Sequence, residues 1–221
     1  MAGAIHLACG RVDALLREAR EPTKWLSAGE LQRLGSMRSS RRRGQFVAAR
    51  WQARRLLASV FGGSPADWPL DAAPDSPPTL PARSDLHLSI SHSADWTACA
   101  VSFEAVGLDI ETPRPDRDIE GLAQVCCTPG EVALMQAAPD GEAFFYSLWT
   151  AKEAWLKRRR EWMAPSRLRQ LELRPGGFDA RTWSAPGWSL ALCGSGKVRW
   201  SSDEPTSRRC WEMRDEAASP A

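Results

Sequence analysis

Val106-Gly107-Leu108-Asp109-Ile110-Glu111 alternates apolar and acidic residues. In a strand, successive side chains point to opposite faces. Leu108 and Ile110 then face a core, while Asp109 and Glu111 share the other face. Two carboxylates side by side repel unless a cation or a proton lies between them. Hard oxygen donors of this kind suit Mg²⁺, which takes few carboxylates and completes its shell with substrate phosphates. Acidic pairs at strand ends are also common surface features, so the pair alone decides nothing.

Upstream, Trp96 to Phe103 reads as a strand rich in small and β-branched residues. Before it, Leu86-His87-Leu88-Ser89-Ile90-Ser91 alternates as a half-buried strand does. Its end, Ser91-His92-Ser93, could donate hydrogen bonds to phosphate, although a lone histidine is as readily structural. Six prolines between Ser64 and Arg83, at 65, 69, 74, 77, 78 and 81, make a long irregular connection. Arg41 to Phe61 is an amphipathic helix, with Phe46, Val47, Trp51, Leu56, Leu57 and Val60 near helical spacing and arginines on other faces. Gly62-Gly63 ends it. An earlier helix opens at Ser27, where Glu30 three places on completes a capping box.

Downstream, Asp116 to Ala138 is mixed, with Pro129-Gly130-Glu131 turning into a helix. Glu142 to Trp162 is a second strong helix. It carries Trp149-Thr150-Ala151-Lys152-Glu153-Ala154-Trp155-Leu156-Lys157, where Glu153 and Lys157 stand four apart on one face. Alone, that is an ordinary ion pair contributing about 0.3–0.5 kcal/mol. The alternative makes Glu153 a third oxygen ligand and Lys157 a phosphate partner. Trp183 to Cys193 returns to the sheet, with Trp188 to Leu192 as a strand. The polar tail beyond Gly194 carries no clear pattern.

Composition narrows the class. The 221 residues suit one large domain or two packed halves, and 43% hydrophobic with 25% charged residues is ordinary for a globular protein. Net charge is only +2, so partners of strong charge must be met locally. Basic residues cluster at Arg38–Arg55 and Lys152–Arg160. The six cysteines show no zinc spacing, which with three histidines argues against a transition-metal site. Neither a secretory leader nor a membrane span is present in the pattern, so a reduced cytoplasmic protein is expected. The eleven tryptophans do not alternate with basic residues as a nucleic-acid stacking platform would.

Three segments taken in order say more than any one. Ser91-His92-Ser93, Gly107-Leu108-Asp109-Ile110-Glu111 and Trp149 to Lys157 resemble the S-H-S, G-[IV]-D-x-E and [FW]-[ST]-x-K-E-[AS]-x-x-K pattern of the Sfp-type 4′-phosphopantetheinyl transferases. The resemblance runs from about Leu86 to Lys157, and more loosely upstream to Arg50, which resembles a family arginine that binds coenzyme A. It implies an α+β fold of pseudo-twofold type, two similar halves each with a small antiparallel sheet packed on helices, and an active site in the cleft between them. The halves are expected at residues 1–104 and 105–221. Asp109, Glu111 and Glu153 would hold Mg²⁺ on the pyrophosphate of coenzyme A. His92 and Lys157 would meet its phosphates, with Ile90 and Ser91 lining the nucleotide site.

The resemblance implies a holo-acyl-carrier-protein-synthase type of activity. A serine of an apo acyl or peptidyl carrier protein attacks the phosphorus bearing pantetheine, and 3′,5′-ADP leaves. Catalysis is then mainly positioning and charge stabilisation. Glu153 or a metal-bound water is the candidate base. The length resembles broad-range members serving secondary metabolism, which can work as monomers. One departure stands out: where the family often has Gly-Lys-Pro, this chain has Ser76-Pro77-Pro78, so either a cation such as Arg83 substitutes or coenzyme A binds more weakly. Two other classes remain open at this point. A nucleic-acid-binding module could use the Arg38–Arg55 helix, though Asp109, Glu111 and Glu153 would then oppose a phosphate backbone. A catalytically silent relative could act in protein interaction.

Overall fold

A computed structural model describes residues 3–71, 77–201 and 204–218. In chain order the elements are β1 (Ala4–Arg11), α1 (Val12–Glu18), α2 (Ala28–Ser36), α3 (Ser40–Phe61), β2 (His87–Ser93), β3 (Trp96–Ser102), β4 (Gly107–Glu111), α4 (Ile119–Cys126), α5 (Pro129–Ala137), α6 (Gly141–Arg159), α7 (Pro165–Arg169), β5 (Leu171–Ala185), β6 (Trp188–Cys193), β7 (Lys197–Trp200) and β8 (Arg208–Asp215). This is an α+β chain with two four-stranded sheets among the described residues. It divides into two compact units, Met1–Val106 with Ser195–Glu204, and Gly107–Gly194 with Pro205–Ala221.

In the first unit the strand order is β2-β3-β1-β7. β1, β2 and β3 pair antiparallel, but β7 runs parallel to β1, so this sheet is mixed rather than wholly antiparallel as expected. A parallel pair needs a long crossover, and here the Gly107–Gly194 part of the second unit intervenes in sequence. Ala53, Leu56 and Leu57 of α3 pack with Leu88, Cys99 and Val101 of the sheet. The start of α3 packs Phe46 and Val47 with Trp25 and Leu26.

The arginines of α3 do not all lie on outer faces, which corrects the reading of that helix. Ser27 caps α2 and Glu30 closes the capping box, but Glu30 is fully buried. A buried carboxylate must be paired. Arg54 Nη2 donates to Glu30 Oε2 at 2.5 Å, and Arg50 Nε lies 3.3 Å from Glu30 Oε1. Two of the seven arginines counted as a basic patch are thereby core residues.

The proline-rich connection holds a short 3₁₀ turn at Pro65–Asp67 and a bridge between Asp71 and Thr79. Residues 72–76, including Ser76 of the Ser76-Pro77-Pro78 departure, lie outside the described residues.

In the second unit the order is β4-β6-β5-β8, antiparallel throughout, with a bulge in β5 between Pro175 and Ala180. α6 lies against this sheet. Phe145, Leu148, Ala151 and Leu156 of α6 join Leu171, Leu173, Ala191 and Trp211 in one core. α6 stops at Arg159 rather than Trp162, closed by Arg160 in the left-handed region at φ 57°, and Trp162 beyond it is exposed. No described helix is long and apolar enough to cross a membrane.

Candidate active site

Gly107 fixes how β4 meets α6. A Cβ at this position would overlap the carbonyl oxygen of Ala154 and the backbone nitrogen of Arg158. Only glycine lets the strand lie this close to the helix backbone. Leu108 and Ile110 are buried on one face of β4. The other face carries Asp109 and Glu111 toward Glu153 on α6.

Asp109, Glu111 and Glu153 each offer a carboxylate oxygen, and the three atoms lie within 4.8 Å of one another. Around Mg²⁺, oxygens at about 2.1 Å from the ion stand roughly 3–4 Å apart. A small side-chain rotation brings all three onto one hard cation, so the donor set fits such an ion. Two of these residues were paired by strand periodicity, and α6 supplies the third.

Electrostatics agree with a cluster poised for positive charge. Lys157 Nζ donates to Asp109 Oδ1 at 2.5 Å. Burial alone would lower the Lys157 ammonium; the carboxylates, Asp109 first and then Glu153, reverse this and hold it above its ordinary value. Glu153 is pushed up to about 8, by burial first and then by the charge of Asp109, with Lys157 opposing. Lys157 thus bonds across to β4 as well as sharing a helix face with Glu153.

Arg117 was not singled out from the sequence. Its Nη1 stands 3.9 Å from Glu111 Oε2, and its guanidinium lies 5.8 Å and 5.6 Å from the ring centres of Tyr146 and Trp149. The turn holding it is anchored where Arg114 N donates to Tyr146 Oη at 3.2 Å. The only sequence signal was an arginine shortly after the Asp-x-Glu strand and a single tyrosine in the chain.

Lys152, within the same helical motif, turns inward. It bonds Glu131 Oε2 at 2.6 Å and the Cys126 carbonyl at 2.9 Å.

The remaining expected site residues belong to the first unit. β2 presents Ser91 buried, Ile90 partly buried and His92 exposed. Arg50 is buried, engaged with Glu30 and lying 4.9 Å from the Phe46 ring centre. Arg83 makes a two-point contact with Asp85 and lies 5.2 Å from the Phe61 ring centre.

Comparison with known proteins follows the same lines. Residues 105–208 match the model of the 4′-phosphopantetheinyl transferase superfamily. The chain is 33% identical over 171 residues to the 4′-phosphopantetheinyl transferase HetI of a Nostoc species, covering 75% of this chain and 72% of that one. It is 35% identical over 107 residues to a Bacillus subtilis 4′-phosphopantetheinyl transferase, covering 48% and 47%. To the Salmonella typhi 4′-phosphopantetheinyl transferase AcpT it is 40% identical over 85 residues, covering 37% and 44%. The shorter matches are partial, but one relative is shared across most of both chains, at an identity too high for fold likeness alone. The chain belongs to the 4′-phosphopantetheinyl transferase family.

Proposed function

We propose that this protein transfers 4′-phosphopantetheine from coenzyme A to a serine of an apo acyl or peptidyl carrier protein, with Mg²⁺ held by Asp109, Glu111 and Glu153. The observation that supports this most is the convergence of those three carboxylates from β4 and α6, with Lys157 bonded to one of them. When bound, the cation supplies charge neutralisation at the pyrophosphate and polarises the phosphorus–oxygen bond that breaks.

The chain's own residues do the rest. Lys157 faces the developing negative charge on the phosphoryl oxygens. Glu153, or a water held beside it, takes the proton from the serine hydroxyl. The serine Oγ forms a bond to the phosphorus bearing pantetheine, the bond to the nucleotide phosphate breaks, and 3′,5′-ADP leaves. Ile90, Ser91 and His92 are the proposed contacts of the nucleotide. Arg50 is the further proposed contact, its Nε facing Glu30 and its remaining N–H groups the ones that would meet the ligand. The enzyme is proposed to act as a monomer in the cytoplasm, without nucleic acid.

Intact-mass measurement of an apo carrier protein incubated with the enzyme, coenzyme A and Mg²⁺ tests this. A carrier that gains one phosphopantetheine supports the reading. Unmodified acyl and peptidyl carriers alike would overturn it.

A further inference from the structure

Arg117 is held in an unusual way for a surface-turn arginine. Two rings of α6, Tyr146 and Trp149, flank its guanidinium, a favourable placement for a cation. Its Nη1 is buried and has no hydrogen-bond acceptor among the described residues. The nearest carboxylate oxygen, Glu111 Oε2, stands at 3.9 Å, beyond hydrogen-bond length. A desolvated N–H without an acceptor is costly, so the rings keep the charge where it would not settle unaided.

We propose that Arg117 is a positioning residue of the metal site, which draws Glu111 toward the cluster and weakens binding of the bare cation. The charge attracts Glu111 through space but does not bind its oxygens as a hydrogen-bonded partner would. Glu111 is thus oriented and still able to ligate. A fixed positive charge so near also opposes a divalent ion, by on the order of tenfold even at a dielectric close to that of water. The cation is then retained when an anionic co-substrate adds its own charge. This inference rests on the cluster being the cation site proposed above.

Mn²⁺ alone, without coenzyme A, is the probe, titrated by electron paramagnetic resonance at low ionic strength. R117Q should bind Mn²⁺ about tenfold more tightly than the parent enzyme, and R117K should stay close to the parent. R117M, which keeps an apolar stem over the rings, is measured beside R117Q in case the amide variant does not fold. Unchanged or weaker Mn²⁺ binding in the folded charge-removed variant would overturn the role of Arg117. D109N separates the two readings: it should lose Mn²⁺, and if it binds as the parent does, the cation site itself is wrong.

Discussion

The ammonium of Lys152 lies 2.6 Å from Glu131 Oε2, and both side chains are 1% exposed. Glu131 also accepts from the backbone nitrogens of Thr128 and Leu173, at 2.8 Å each. One carboxylate thus ties the start of α5, strand β5 and helix α6 together, one residue away from Glu153. Removing one partner leaves a buried charge alone, at a cost of roughly 3–5 kcal/mol. K152M and E131Q should each show that loss in urea unfolding, and the K152M/E131Q double variant should recover much of it. Additive losses would mean the two side chains are not coupled.

Gly107 carries a second prediction. Because a methyl group there meets α6 backbone rather than a yielding side chain, Gly107→Ala forces strand and helix apart. Overpacking costs about 1–3 kcal/mol, and here it also separates Asp109 from Glu153 and Lys157. Lower urea midpoints together with weaker Mn²⁺ binding are expected. Parent-like values of both would show that the close approach is not required.

Glu153 offers a test by pH. Its folded value of about 8 lies above the ordinary 4.5, so the folded metal-free protein binds more protons than the unfolded chain between those values. Stability therefore falls as pH rises through that window. Glu153→Gln removes the charge, so it should match the parent near pH 4.5 and become more stable than it above pH 8. The gain is on the order of 1–3 kcal/mol, a few degrees in Tm. Calorimetry with chelator present reads it, and a parent-like melt at pH 8.5 would contradict the electrostatic account. Transfer should be lost in the same variant.

Lys157→Ala should lower the transfer rate by about 10²-fold, the scale for losing a group that stabilises developing charge. Mn²⁺ binding to this variant should persist, since Asp109 loses a competing cation. If transfer stays at the parent rate, Lys157 serves only to pair Asp109.

How much of this was written legibly in the chain depends on the range of the interactions. The Asp109–Glu111 face, the Ser27–Glu30 cap and the Pro129 helix start are local patterns, and each appears in the structure. β7 and β8 were missed because their partners are distant: Val198 pairs with Ile5, and Met213 with Leu173. Neither strand alternates clearly enough to declare itself. The pairing of Arg50 and Arg54 with Glu30 is not legible in the basic cluster, because Glu30, which draws them inward, sits on another helix. The contact of Lys157 with Asp109 is not legible from the helix, since helical spacing names neighbours within α6 and says nothing of β4. Arg117 is invisible for the same reason; its placement depends on rings and a carboxylate brought together only by folding.

The central claim is that Asp109, Glu111 and Glu153 form one cation site that the transfer requires. The most direct measurement is the intact mass of an apo carrier protein after incubation with coenzyme A and either the parent enzyme or Asp109→Ala, with Mg²⁺ or with excess chelator. The account predicts a phosphopantetheinylated carrier from the parent enzyme with Mg²⁺. It predicts an unchanged carrier from the parent with chelator, and from a folded Asp109→Ala in both conditions. A modified carrier from Asp109→Ala, or from the parent without divalent cation, would contradict it.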